Sequence, residues 1–217
     1  MPEAKTFWNS FSKAALDLLY PPKCGLCGFL GDNAICDACG DSFEKLDNQI
    51  VEQDPSFVVN GWARLYVYSG RSGQAVQRLK YSRVTSLAEP MSKRLWEFAE
   101  RVNLDDADMY LPVPIHWGRR FLRGFNQAEL LCDAFPRKSV RKDVLLRWRA
   151  TRPQVGLTPE ERRKNLEGAF RTTKDLSGQK VVLVDDVLTT GVTIAECAKS
   201  LREAGAMEIY ALAFAGA

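Results

Sequence analysis

Histidine is nearly absent from this chain: His116 is the only one among 217 residues. A metal centre built on several histidines is therefore excluded. A serine–histidine dyad with a second histidine as its orienting group is excluded for the same reason. A single histidine that follows a predicted strand is interpreted as an ordinary polar residue.

Long apolar runs and a strong excess of charge of one sign are also missing. No uninterrupted apolar run reaches the roughly 18–20 residues of a membrane-spanning helix, and the first residues lack the cationic end and apolar stretch of an export signal. We therefore expect no membrane insertion and a cytoplasmic location. A net charge of +3 does not by itself indicate a nucleic-acid-binding protein. With 46% hydrophobic and 26% charged residues, the composition fits one soluble globular domain with a small appendage.

The cysteines are spaced as in metal sites. Four of the six form two CxxC pairs separated by eight residues, at Cys24, Cys27, Cys36 and Cys39. Two such turns bring four thiolates to one tetrahedral Zn²⁺ ion and leave no open position, which predicts a structural site. Two disulfides are an alternative that a reducing cytoplasm disfavours. A redox CxxC is another, but it needs no second pair. In so short a segment, metal binding would supply much of the folding free energy.

The order of elements predicts an α/β fold. We expect three parts: an N-terminal amphipathic helix within 1–20, a four-cysteine module with a linker over 21–58, and a main domain over 59–217. In the main domain, strands alternate with helices, and runs such as 181–184 are apolar on both faces, which indicates a parallel sheet covered on two sides. Strands are predicted at 64–70, 109–115, 143–150, 168–172, 180–187 and 208–215, and helices at 72–83, 86–102, 124–135 and 193–204. Cys132 and Cys197 lie on the apolar stripes of two of these helices and are predicted to be buried.

The stretch VVLVDDVLTTGVT places Asp185 and Asp186 directly after a buried strand and follows them with a turn around Gly191. In an open parallel sheet, ligands bind beyond the carboxyl ends of the strands. Free backbone amides at the start of the next helix favour an anion such as phosphate. Carboxylates only accept hydrogen bonds, so beside a phosphate they must bind sugar hydroxyls or a divalent cation. A phosphorylated sugar meets both requirements, whereas the alternative, a cluster that merely caps the helix, needs only one such side chain.

The same stretch resembles the phosphoribosyl pyrophosphate (PRPP) signature of type I phosphoribosyltransferases. Together with the four-cysteine segment, PVPIHWGRRFLRGFNQAELL and ERRKNLEGAF, it is similar to the ComF family, whose members include the competence protein ComFC and the DNA-utilisation protein GntX. The resemblance covers about residues 18–214, although the stretch 43–62 matches no motif. It implies a phosphoribosyltransferase fold with a small N-terminal zinc module. It also implies Mg²⁺-dependent transfer of ribose 5-phosphate from PRPP to a nitrogenous acceptor, a glycosyltransferase reaction that releases pyrophosphate.

The resemblance also implies residue roles. Asp185 and Asp186 would hold the ribose 2′ and 3′ hydroxyls. The 5′-phosphate would lie on Val187, Thr189, Thr190, Gly191, Val192 and Thr193. The pyrophosphate loop would contribute Arg119, Arg120, Arg123, Asn126 and Gln127. No acid lies between Pro112 and Gln127 to pair with these arginines, which suits a polyanion carrying Mg²⁺. A solvated basic loop, with the two amides as helix caps, is the alternative.

A long polar segment at 151–167 predicts a lid, which the resembling fold uses as a catalytic loop. Arg162, Arg163 and Asn165 are candidates for contact with the charge that develops as the bond to C1 breaks. A surface helix with internal i,i+3 pairs is the alternative. Lys80 and Tyr81, at the end of the helix after the first strand, are candidates for a phosphate contact.

A different class of function stays open. Residues 137–152 hold seven basic residues and one acid around Trp148, a composition typical of a surface for single-stranded nucleic acid. The alternative is a strand with ordinary basic flanks. The chain would then be a non-catalytic DNA-processing adaptor with a vestigial PRPP pocket. The family suggests a DNA-uptake helicase or another competence protein as its partner.

Overall fold

The structure, a computed structural model, describes residues 21–46, 49–52, 58–151 and 158–217. The amphipathic helix predicted within 1–20 lies outside these residues. Over the described ranges, no helix combines the length and the apolar character that crossing a bilayer requires.

The helices and strands are numbered in chain order. They are α1 (Asp37–Asp41), β1 (Val51–Glu52), β2 (Gly61–Val67), α2 (Gly70–Tyr81), a 3₁₀ turn (Thr85–Leu87), α3 (Ala88–Arg101), β3 (Met109–Pro112), α4 (Trp117–Arg123), α5 (Gln127–Leu130), β4 (Leu145–Arg147), α6 (Pro159–Leu166), β5 (Phe170–Thr172), β6 (Lys180–Leu188), α7 (Val192–Glu203) and β7 (Glu208–Gly216).

Five strands form the central sheet in the order β1-β2-β7-β6-β3. Four of them are parallel, and only β1 runs antiparallel to its neighbour. Along β6 the side chains alternate between the faces: Val182 and Val184 join the core under α2 and α3, while Val181 and Leu183 join the core under α7. A strand covered on both faces reads as a continuous apolar run. The predicted parallel α/β fold is therefore confirmed.

Two predicted strands do not join this sheet. β4 and β5 pair with each other in a separate two-stranded antiparallel sheet. Within β4, Leu145 and Arg147 are buried whereas Leu146 between them is 43% exposed. Only one face of this ribbon packs on the core, so it lacks the two buried faces of a parallel strand.

The segment after β3 also differs from its prediction. A helix was expected over 124–135, but only α5 is helical there, and α4 occupies the predicted pyrophosphate loop. Gly124, with a φ of 86°, ends α4 in the left-handed conformation that glycine adopts without strain, and Asn126 begins α5. The apolar stripe still packs inward: Cys132 is buried as predicted, and so is Cys197 on α7.

The four-cysteine segment shares the core of the main domain. Leu26, Ile35 and Phe43 belong to the same buried cluster as the residues of β2 and β7. The ring of Phe43 lies edge-on to Tyr66, with centroids 5.0 Å apart, and to Phe214, with centroids 6.2 Å apart. This packing couples the stability of the cysteine segment to that of the sheet.

The stretch 43–62, which matches no motif, covers the free edge of β2 in its described part. The amide of Leu46 donates to the carbonyl of Leu65 at 3.0 Å, and β1 pairs further along the same edge. A covered edge cannot pair with another chain. The division of the chain at residue 58 stays a prediction.

Candidate functional site

A cleft of about 260 Å³ opens where the parallel strands β6 and β3 end. The end of β6, the turn after it and the start of α7 form one wall. The residues after β3, the end of α2 and one residue of β4 form the others. Most side chains predicted to bind a ligand line this cleft, namely Lys80, Tyr81, Arg119, Arg123, Asn126, Gln127, Asp185, Asp186, Val187, Thr189, Thr190, Gly191, Val192 and Thr193.

The two acids lie within β6, which continues to Leu188, and their side chains leave opposite faces of the strand. Asp186, 5% exposed, forms an ion pair with Lys80 of α2 at 2.7 Å. Asp185 accepts a hydrogen bond from the backbone amide of Asp186 at 2.8 Å. Lys80 was expected to reach a phosphate, but here it neutralises one carboxylate of the pair.

Burial and the neighbouring carboxylate of Asp186 raise the pKa of Asp185 well above its ordinary value, although the ammonium of Lys80 acts in the opposite direction. Burial alone would lower the pKa of Lys80, but the carboxylates of Asp186 and Asp185 outweigh it, so the pKa of Lys80 is raised. Each acid thus has a cation near it, Lys80 beside Asp186 and Arg147 near Asp185. Both acids line the cleft, where their oxygens can accept from a ligand or bind a cation.

Asp185→Asn is expected to raise the melting temperature of the ligand-free protein at neutral pH, by about 2–4 °C for each kcal/mol gained. Because the folded-state pKa of Asp185 lies above its unfolded value, its unfavourable effect is absent below the unfolded pKa, about pH 4, and grows as the pH rises through the folded pKa. Asparagine keeps the oxygen that accepts from the Asp186 amide and removes the charge.

Melting curves of the wild type and Asp185→Asn between pH 4 and pH 8 test this expectation. The charged groups near Asp185 are Asp186, Lys80 and, from β4, Arg147, and all three are unchanged in the variant. The difference between the two melting temperatures should widen as the pH rises. A difference that is constant with pH would contradict the raised pKa.

The turn after β6 is suited to an anion. Gly191 is the N-cap of the 12-residue helix α7, with a φ of 68°, a left-handed conformation that favours glycine. The N-cap position is thus a glycine and not one of the acids or threonines. Backbone amides of the first helical turn lie at the cleft, where they and the helix dipole favour a phosphate.

Of the three arginines expected at the opposite wall, two line the cleft. Burial, together with the positive charge of Arg123, lowers the pKa of Arg119. The guanidinium of Arg123 lies over the ring of Tyr81, 5.5 Å from its centroid. Arg120 is a correction to the prediction, because it forms a two-bond ion pair with Glu129 outside the cleft. Glu129 lies two residues beyond the stretch from Pro112 to Gln127, whose lack of acids suggested a phosphate role for Arg120.

The two amides after these arginines are buried, each 3% exposed. Asn126 caps α5 by accepting from the amide of Ala128 at 3.2 Å, and its side-chain nitrogen donates to the carbonyl of Val113 at 3.0 Å. The capping alternative is thus what the structure shows for Asn126. The bond from Asn126 to Val113 ties the residues after β3 to α5. It thereby fixes the segment that carries Arg119 and Arg123, which form the arginine wall of the cleft.

Comparison with known proteins identifies the family. The model of the phosphoribosyl transferase domain family matches residues 134–216. DNA utilization protein YhgH of Escherichia coli O157:H7 is 34% identical over 158 residues, which cover 68% of this chain and 70% of that protein. Competence protein F of Haemophilus influenzae is 29% identical over 190 residues, which cover 80% of this chain and 81% of that protein. The chain belongs to the ComF family.

The fold of this ComF chain is that of a phosphoribosyltransferase, as the family model and the parallel sheet show. The matched residues include Asp185 to Thr193 and leave out Arg119, Arg123 and the four cysteines. A solved structure described as the allosteric regulatory enzyme of purine biosynthesis aligns at 22% identity and a TM-score of 0.42, over 64% of this chain and 30% of that chain. That likeness is too distant to add to the assignment.

The three lid candidates of the ComF chain do not line the cleft. They lie on α6, which begins with a reciprocal capping box between Thr158 and Glu161, and are Arg162, Arg163 and Asn165. An ion pair joins Lys164 to Glu160 one turn earlier. Within the described residues, the surface-helix alternative fits this segment. A contact with a ligand in the cleft would require α6 to move. The preceding part of the predicted lid, 152–157, lies outside the described residues.

Two lining residues of the cleft with polar side chains, Arg147 and Tyr68, were not predicted from the sequence as ligand contacts. Arg147 was counted among the basic residues of a surface, yet it is 8% exposed. The alternation of the strand contained the signal: Leu145 and Arg147 share one face, while Leu146 and Trp148 share the other, exposed face. Nothing in the sequence around Tyr68 distinguishes it from a core tyrosine.

The four cysteines form a candidate metal centre. Their sulfur atoms all lie within 4.8 Å of one another, and those of Cys27 and Cys36 are 3.6 Å apart. A tetrahedral Zn²⁺ with bonds of about 2.3 Å sets its sulfurs about 3.8 Å apart. All four are free thiols, so the disulfide alternative is not formed. The set therefore fits one ion of the zinc type.

Hydrogen bonds to sulfur prepare this centre for a cation. Cys24 is buried, which would raise its pKa, but backbone amides lower the pKa of Cys24 to about 6. Two of these amides, of Leu26 and Cys36, each lie 3.4 Å from its sulfur. Burial and the other three sulfurs raise the pKa of Cys39 to about 12. A divalent cation among the four sulfurs relieves this crowding of negative charge.

Proposed function

We propose that this chain binds PRPP with Mg²⁺ and transfers its ribose 5-phosphate to a nitrogenous acceptor, with release of pyrophosphate, in DNA uptake or DNA utilisation. The observation that carries the proposal is the pairing, in one cleft, of two strand-borne acids with an anion-suited helix start. Sugar hydroxyls need acceptors, whereas phosphates need donors and cations. A ligand that carries both sugar hydroxyls and phosphates therefore contacts both kinds of group in the cleft.

Each wall of the cleft has a role in this proposal. The carboxylates of Asp185 and Asp186 accept hydrogen bonds from the ribose hydroxyls. The amides and hydroxyls of the Thr189–Thr193 turn bind the 5′-phosphate. Arg119 and Arg123 bind the diphosphate. Lys80 holds the carboxylate of Asp186 in place through their ion pair.

The proposed reaction exchanges one bond at C1 of the ribose. The C1–oxygen bond to the diphosphate breaks, the electron pair leaves with pyrophosphate, and the lone pair of the acceptor nitrogen forms the new C1–N bond. A proton carried by that nitrogen passes to the solvent or to the released pyrophosphate. Positive charge develops at the sugar ring and negative charge on the leaving oxygens, so fixed carboxylates and guanidiniums stabilise the transition state. Mg²⁺ bound with the ligand would supply further positive charge at the diphosphate, and the buried carboxylates and ligand oxygens are the donor types it prefers.

The biological setting rests on the relatives. One bears the name of a DNA utilization protein and another that of a competence protein. A helicase or another DNA-uptake component as partner remains an expectation from the family. The first test is calorimetric titration with PRPP, with and without Mg²⁺, followed by assays of pyrophosphate release with nitrogenous acceptors. Absence of PRPP binding in both conditions would remove the proposal.

A second candidate function, a nucleic-acid adaptor, gains support from a surface other than 137–152. Three of the seven basic residues in that stretch are already engaged: Arg141 pairs with Asp143, Lys142 with Glu129, and Arg147 lies in the cleft. On α4, by contrast, Trp117, Phe121 and Leu122 are 73%, 86% and 74% exposed beside the arginine wall. Exposed aromatic rings next to positive charge are typical of platforms that stack unpaired bases.

Trp117→Ala combined with Phe121→Ala is expected to weaken binding of a single-stranded oligonucleotide at least about tenfold, because stacking of each base contributes about 1–3 kcal/mol. Trp148→Ala is the matched control, since Trp148 is 63% exposed on the other candidate surface. Fluorescence anisotropy at low salt measures both. A larger loss of oligonucleotide affinity in Trp148→Ala would assign the binding surface to residues 137–152. Absence of binding by the wild type would remove the adaptor function.

A further inference from the structure

Arg147 occupies an unusual place for an arginine. It ends β4 on the buried face of the small antiparallel sheet, and it is 8% exposed. Its guanidinium lies over the ring of Phe170, 5.4 Å from the centroid, and hydrogen-bonds to the hydroxyl of Thr151. The side chain is one of those that line the cleft. The second sheet thus places one cation in a site otherwise built by the parallel sheet and its connections.

This guanidinium is incompletely satisfied. Its Nε atom is buried and has no hydrogen-bond partner among the described residues. Buried polar atoms are almost always paired, so such an atom at a cleft requires an explanation. An anion bound in the cleft supplies the missing acceptor.

The charges around Arg147 favour the same explanation. Burial, followed by the positive charge of Arg119, lowers the pKa of Arg147 to about 10, while Asp185 acts in the opposite direction. Both guanidiniums hydrogen-bond to Thr151, so they lie close together, and their repulsion costs free energy that a bound anion relieves. Arg119 follows β3 and Arg147 ends β4, so separate parts of the fold bring the two charges together. Packing alone does not require this arrangement.

We propose that Arg147, together with Arg119, binds the diphosphate end of the phosphorylated-sugar ligand. The proposal rests on the function proposed above. It adds a residue that lies outside the PRPP signature and outside the predicted pyrophosphate loop. The turn at Thr189–Thr193 has its own backbone amides for the 5′-phosphate, and it follows β6. The arginine pair serves the other end of the ligand, where the planar forks of two guanidiniums match the diphosphate oxygens.

Calorimetric titration with inorganic pyrophosphate and, separately, with ribose 5-phosphate tests this assignment in the presence of Mg²⁺. Arg147→Gln should weaken pyrophosphate binding by about tenfold to a hundredfold, because a charge-assisted contact is lost, and should leave ribose 5-phosphate binding within about twofold. Arg147→Lys should recover part of the loss, since it keeps the charge without the fork.

Arg149→Gln is the matched control. Arg149 lies two residues further along, donates to the carbonyls of Asn165 and Glu167, and does not line the cleft. The Arg149→Gln variant should bind pyrophosphate and ribose 5-phosphate as the wild type does. The melting temperature of each variant is measured alongside, and if Arg147→Gln fails to fold, the lysine variant decides.

Three results would overturn the assignment or its basis. Unchanged pyrophosphate affinity in both Arg147 variants would reject it. Equal losses for pyrophosphate and ribose 5-phosphate, with a lowered melting temperature, would assign Arg147 to packing alone. Failure of the wild type to bind PRPP would instead remove the proposed function, and this result is obtained before any variant is made.

Discussion

Asp185→Asn combined with Asp186→Asn is expected to abolish PRPP binding, with an affinity loss of at least about a hundredfold. The physical reason is the loss of both charged acceptors for the ribose hydroxyls, while the anion-suited turn is kept. In the wild type, Asp186 is already shared with Lys80 at 2.7 Å, so removing its charge also leaves a lysine in the cleft without its partner. A lone cation there cannot replace an acceptor.

The measurement is calorimetric titration with PRPP in the presence and absence of Mg²⁺. Asp105→Asn combined with Asp106→Asn is the matched control, because it neutralises two adjacent exposed acids that precede β3, at the opposite end of the parallel strands. One of them, Asp106, forms an ion pair with Lys180, so the control also removes one ionic contact. The control should bind as the wild type does. Unchanged affinity in the Asp185 and Asp186 variant would withdraw the ribose assignment.

The variant must also remain folded for its result to count. Melting temperature and zinc content are the two readouts, since neither acid contributes to the cysteine centre. We expect one metal ion per chain in the variant, as in the wild type. Retained metal with lost binding localises the effect to the cleft.

Loss of the metal from the candidate four-cysteine centre is expected to destabilise the whole chain and not only its N-terminal segment. Structural zinc sites contribute about 10–16 kcal/mol to the folding of small peptides. Here Leu26, Ile35 and Phe43 share a core with β2 and β7, so their loss exposes that core. Arg78 of α2 also donates to the carbonyl of Gly25 at 2.5 Å, a bond that depends on the fold of the first CxxC turn. The main domain should therefore lose stability as well.

Cys24→Ser and Cys36→Ser test this expectation, with elemental analysis for the metal and thermal melting for the fold. Cys132→Ala is the control, because Cys132 is buried and lies outside the four-cysteine cluster. This variant should retain one metal ion per chain. Both serine variants should lose the metal and melt at a lower temperature. A metal-free protein with an unchanged melting temperature would refute the zinc assignment.

Much of the fold was predictable because its signals are local. β6 is apolar on both faces, which only a covered parallel strand requires, and α7 carries a regular apolar stripe. The spacing of the four cysteines likewise indicated a metal centre that their sulfur positions fit. The region 113–135 was less predictable, because Gly124 and Asn126 divide what looked like a loop and one helix into two short helices.

The candidate site was predictable in part, for a related reason. Asp185 and Asp186 near the end of β6 and the threonine turn after it are close in sequence, so the motif places them together. Arg120 and Arg123 look alike in the sequence, yet one pairs with Glu129 and the other lies over Tyr81 at the cleft. Their directions depend on a helix phase that the pattern did not reveal.

The sequence by itself determined the parallel sheet, the acid pair before an anion-suited turn, and the fourfold cysteine cluster, because each depends on residues close in the chain or on a simple period. Only the tertiary structure decided which cations meet those acids. Lys80 reaches Asp186 from α2, and Arg147 enters the cleft from a separate sheet. Both contacts join residues far apart in sequence, so their pairing depends on how the elements pack and not on any local pattern.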